Sequence, residues 1–109
     1  MNHAGLPPGE AARLVDLVDY TAGSLVSRVV GKSASGSVTV FAFDAGEDVS
    51  EHSTPCDAWA LILDGSAELL VGGKTVTAGA GELVMLPAGV PHSLHAKQRF
   101  KMLLLMLRG

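Results

Sequence analysis

Two histidines, His52 and His92, stand forty positions apart, and each belongs to a stretch rich in turn-forming residues. The first stretch runs from Gly46 through Glu51-His52-Ser53-Thr54-Pro55-Cys56-Asp57-Ala58 to Asp64-Gly65. The second runs Gly81-Glu82-Leu83-Val84-Met85-Leu86-Pro87-Ala88-Gly89-Val90-Pro91-His92. A neutral imidazole offers a lone pair to a metal ion or a proton, and an imidazolium pairs with a carboxylate. With an ordinary pKa near 6.5, both forms are within reach around neutrality. If the two rings face one space, three uses are open to them: metal ligation, general acid–base work, or orientation of a bound molecule.

The neighbouring side chains decide among these uses. Cys56 and Asp57 carry the atoms that could add a third metal donor beside His52 and His92. Glu51 alternates away from His52 if the segment is extended. His95 lies an odd number of positions from His92, which places it on the opposite face of a strand and so on the surface. Cys56 is also a candidate nucleophile, although a free cysteine more often serves as a small buried hydrophobe. Asp57 otherwise reads as a loop cap, and Trp59 either lines a pocket mouth or packs between sheets. In so small a chain, core and pocket overlap. The expected pocket lining is therefore His52, Thr54, Trp59, Met85, His92, Phe100 and Met102, with Phe41, Phe43 and Met106 in the core.

The elements that must position these residues are strands. Thirteen of 109 residues are glycine, and most fall between short apolar runs. Candidate strands cover 25–30, 38–43, 59–63, 67–71, 75–77, 83–86, 92–96 and 100–107. Gly72-Gly73 is a two-residue hairpin signal, because both central positions of a type I′ turn need φ > 0, so 67–71 should pair antiparallel with 74–78. Short strands without alternating helices predict an all-β fold: a small antiparallel β-barrel or jelly roll, closed on itself to remove exposed edges. Residues 1–22 read as a tail and lead-in segment, with Leu14, Val15, Leu17 and Val18 spaced for a short amphipathic helix or an irregular strand; residues 23–109 form the barrel domain. Met102 to Leu107 is apolar at six consecutive positions, so both faces of that strand must leave water. One face fills the barrel, and the other calls for a cover, either a second copy of the chain in a homodimer or the N-terminal segment.

Composition bounds the rest. An apolar share of 48% against 17% charged residues supplies one core and argues against disorder. A net charge of −3, with eight scattered Lys and Arg, leaves no footprint for nucleic acid. The single Cys56 can form no disulfide within its own chain, which suits a reducing, cytoplasmic setting. The N-terminus does not read as a signal peptide, and no apolar run reaches the length of a membrane helix.

Together the two stretches resemble the paired motifs of the cupin superfamily, G-x5-H-x-H-x3-E-x6-G and G-x5-P-x-G-x2-H-x3-N. Gly46, His52 and Gly65 hold the first; Gly81, Pro87, Gly89 and His92 hold the second. The resemblance spans about residues 38–107 and is closest to small, single-domain, uncharacterised cupins. It implies a double-stranded β-helix and, in many members, a Mn, Fe, Ni, Cu or Zn site. Thr54, Ala58 and Ala96 stand where the family has histidine, glutamate and asparagine, so two of the four family ligands are missing and only His52 and His92 carry over. Two imidazoles without a carboxylate bind a divalent metal weakly. The expectation is a metal-free or weakly metal-binding small-molecule binder, such as a sensor, carrier or accessory protein. The alternatives are a metal-dependent dioxygenase or isomerase using His52, His92 and a loop donor, and a structural or partner-binding dimer.

Overall fold

The computed structural model of the chain describes residues 6–108, so residues 1–5 of the expected tail lie outside the described residues. Nine antiparallel strands follow a lead-in segment. They are β1 (Leu25–Ser33), β2 (Gly36–Phe43), β3 (Asp48–His52), β4 (Asp57–Asp64), β5 (Ser66–Val71), β6 (Lys74–Gly79), β7 (Leu83–Leu86), β8 (His92–His95) and β9 (Phe100–Leu107). They form a five-stranded sheet in the order β1-β2-β9-β4-β7 and a four-stranded sheet in the order β3-β8-β5-β6. The all-β jelly roll expected from the punctuation of the chain is the fold observed.

The sheets close over one apolar core. Phe43, Ile62, Leu69, Leu86 and Phe100 are its largest fully buried side chains, with Ala58, Ala60, Ala67 and Ala96 filling the gaps between them. Full burial of a Leu, Ile or Phe contributes roughly 1.5–3 kcal/mol relative to exposure, so these few residues supply much of the driving force. The Gly72-Gly73 turn pairs Val71 with Lys74 and Ala67 with Ala78, the register its stereochemistry dictates. Gly65, in the β4–β5 turn, has φ +71°, and a Cβ there would sit 2.4 Å from the Arg99 carbonyl oxygen, so only glycine allows this approach to the start of β9.

Two elements depart from the sequence expectation. Strand β3 has no counterpart among the eight expected strands: four of its five residues are exposed and only Val49 is apolar and packed inward, so it leaves no periodic signal. The lead-in segment forms neither a helix of useful length nor a strand, but a single 3-10 turn at Leu14–Asp16. Tertiary contacts hold it instead. Leu6, Leu17, Val18 and Tyr20 pack on Val30, Val40, Ala42, Leu63 and Leu103, on the outer face of the larger sheet. The Lys101 ammonium donates to the Val15 carbonyl at 2.6 Å, Arg28 donates to the Leu17 carbonyl at 3.2 Å, and the Tyr20 hydroxyl donates to Asp64 at 2.6 Å. The N-terminal segment is thus a strap over half of that face. No helix among the described residues is long and apolar enough to cross a membrane.

Candidate functional site

Strands β3 and β8 bring the two histidines together through an irregularity in their pairing. Val49 lies opposite Leu94, but His52 lies opposite His92. In an uninterrupted antiparallel ladder Glu51 would face His92. The one-residue shift exchanges Glu51 for His52, as a bulge does when two residues oppose one. The ring centroids are 4.4 Å apart, with planes inclined at 67°.

Each ring is held by the backbone two residues before it. The His52 Nδ1 lies 2.9 Å from the Ser50 carbonyl oxygen, and the His92 Nδ1 lies 3.3 Å from that of Val90. A carbonyl oxygen can only accept, so each Nδ1 carries the proton and each Nε2 keeps its lone pair. His52 is exposed, whereas His92 is 5% exposed. Burial pushes the His92 pKa below its ordinary value; the neighbouring His52 adds to this, and the bond to the Val90 carbonyl opposes it. His92 is therefore a neutral base or acceptor near neutrality.

The other expected site residues separate. Thr54 stays near the pair, its hydroxyl donating to the Cys56 carbonyl at 3.0 Å and shaping the turn that carries the chain from β3 into β4. Phe100 and Met102 are core, 0% and 3% exposed, rather than accessible lining. Trp59 and Met85 lie outside the barrel, a correction forced by strand alternation: Ala58, Ala60 and Leu86 take the inward positions. The proposed third metal donor is also not in place. The Asp57 carboxylate accepts from the Ala88 N–H at 2.9 Å, and no three His, Cys, Asp or Glu side chains among the described residues form a group able to hold an ion. Two imidazoles do not make a tight cage for a divalent metal. His95 faces outward, as the alternation predicts, and pairs with Asp48.

A cavity of about 480 Å³ adjoins the first motif, lined by Thr54, Pro55, Cys56, Met106 and Arg108; it begins two residues beyond His52, and neither histidine is among its lining residues. Gly89 N–H donates to the Thr54 carbonyl at 2.8 Å and so ties this wall to the turn that precedes His92. Arg108 was not foreseen as a site residue. Alternation along β9 points to Met106, which follows the inward Met102 at even spacing; the same spacing reaches Arg108, but β9 ends at Leu107, so strand periodicity does not assign it. A second, wholly apolar groove of about 330 Å³ runs over the outside of the larger sheet between Trp59, Leu61, Leu83, Leu103, Leu105 and Leu107.

Two antiparallel sheets closed over a single core, with histidines from two strands meeting at one end, define a cupin-type barrel. The chain belongs to the cupin family, whose cupin-domain model matches residues 39–107. A conserved protein of unknown function from Streptococcus pyogenes shares its fold with a TM-score of 0.93 and 29% identity, over 100% of this chain and 96% of that one. A cupin superfamily protein from Desulfitobacterium hafniense gives 0.89 and 29%, over 95% of both chains. A predicted oxalate decarboxylase from Thermotoga maritima gives 0.73 at 16% identity, over 78% of this chain and 81% of that one, and shares the fold alone. An uncharacterized protein of Streptomyces coelicolor is 36% identical over 59 residues, which are 54% of this chain and 56% of that protein; the match spans about half of the curated relative.

Proposed function

We propose that this cupin binds a small, partly apolar molecule at the mouth of the barrel, with His52 and His92 orienting it. The observation that carries the reading is the pairing of the two imidazoles at 4.4 Å, each turning its Nδ1 to a backbone carbonyl, with a cavity that begins two residues along the chain at Thr54. A neutral His92 accepts a hydrogen bond from a ligand N–H or O–H. The more exposed His52 offers its Nε2 in the same way.

Elemental analysis of untagged protein purified without added metal tests this reading against a metal-dependent enzyme. The expected result is well under one transition-metal ion per chain after dialysis. A stoichiometric ion that survives dialysis and is lost in His52→Ala would overturn it in favour of the enzyme.

A second reading concerns assembly and rests on the outer groove. The strap covers Leu103 but leaves Leu83 59% exposed, Met85 40% and Leu107 43%. We propose that a second copy covers this half of the face, in a two-fold dimer.

A further inference from the structure

The cavity that begins at Thr54, two residues beyond His52, has a chemistry of its own. Its wall combines the side chains of Met106 and Pro55, the small Cys56, Thr54, and the guanidinium-bearing Arg108. The Thr54 hydroxyl gives its proton to the Cys56 carbonyl and accepts from the Cys56 N–H at 3.4 Å, so it has no proton left to donate to a ligand. Among the described residues Arg108 takes part in no ion pair. The carboxylate closest to it in the ladder is Asp57, which lies opposite Leu107; it alternates with the inward Ala58 and accepts from the Ala88 N–H. The wall therefore offers one strong polar group, permanently cationic, beside an apolar surface.

A guanidinium presents N–H donors in a planar fork whose geometry matches the two oxygens of a carboxylate, and charge-assisted bonds of this kind are stronger than neutral ones. A space of about 480 Å³ is within the usual range for small-ligand sites. We infer that this cavity is a carboxylate subsite in which Arg108 holds the anionic end of a short amphipathic acid and Met106 and Pro55 cover its apolar body. The inference rests on the reading that the mouth of the barrel takes a small molecule, and it names the class of that molecule.

NMR titration of the full chain with hexanoate and with its neutral isostere hexanamide tests it. Hexanoate should produce saturable shifts of the Thr54, Cys56, Met106 and Arg108 amides at a concentration about tenfold below that needed with hexanamide. Arg108→Gln should erase this difference, and Arg108→Lys should keep part of it. Arg108 is exposed, so neither variant should lower the melting temperature. Equal responses to the two probes, or a hexanoate affinity unchanged in Arg108→Gln, would overturn the carboxylate assignment and leave the small-molecule reading standing. Shifts around His52 and His92 with none at these four amides would do the same. If neither probe shifts any amide at the mouth, the assignment falls, and so does the mouth as a binding site for small amphipathic molecules.

Discussion

The rings of Phe43 and Phe100 lie nearly parallel, their centroids 4.4 Å apart and their planes inclined at 13°, where β2 and β9 pair residue to residue. Both are wholly buried. Met106, in the wall of the cavity, lies six positions along β9 from Phe100, roughly 20 Å at strand rise. One strand thus carries both a stacked aromatic pair of the core and a wall of the cavity.

Replacing Phe100 with alanine should therefore cost about 3–5 kcal/mol, the range for a buried aromatic whose cavity cannot collapse. Urea denaturation reads this directly. A loss below about 1 kcal/mol would show that the stack is not a keystone of the core.

The lowered pKa of His92 sets a pH dependence for the metal-free protein. The unfolded chain takes up a proton near 6.5 and the folded one only below that, so the unfolded state binds more protons in between. The contribution of His92 is then fully present above pH 6.5 and is lost as pH falls through its folded value. Chemical denaturation between pH 7.5 and 5 should show falling stability, and His92→Gln should flatten the curve. A wild-type protein that gains stability over that interval would contradict the burial argument.

Tyr20 is the only tyrosine, so ultraviolet titration reads it alone. Burial, helped by the hydrogen bond to Asp64 and its charge, raises its pKa well above the ordinary 10, while Arg99 opposes this. The guanidinium of Arg99 and the ammonium of Lys101 lie 4.7 and 4.9 Å from the ring centroid. Phenolate should form only at strongly alkaline pH, where the folded state loses stability because the unfolded chain ionises first. Asp64→Asn should bring ionisation part of the way back toward 10. Ordinary titration in the wild type would mean that the strap is not docked.

The outer groove makes the assembly testable by sedimentation. The wild type should sediment as a dimer, and Leu105→Glu, which places a charge in the groove without touching the inner core, should give a folded monomer. A wild type that is monomeric at high micromolar concentration would refute the dimer.

The sequence by itself determined what is local. Turn stereochemistry at Gly72-Gly73 set the hairpin register, apolar runs marked eight of the nine strands, and the spacing of Gly81, Pro87, Gly89 and His92 marked the family. Alternation alone placed His95 outside. Tertiary structure decided what depends on partners distant in the chain. It turned Trp59 and Met85 outward because alanines take the inward positions of β4 and Leu86 that of β7. It divided the outer face of β9 between the strap and the open groove, and it set Arg108 beside Thr54 and Cys56. Above all, it placed the slip in register that puts His52, and not Glu51, opposite His92. A strand's periodicity fixes which residues share a face, but a one-residue bulge changes that assignment, and its energy lies in the packing of two sheets rather than in any stretch of sequence.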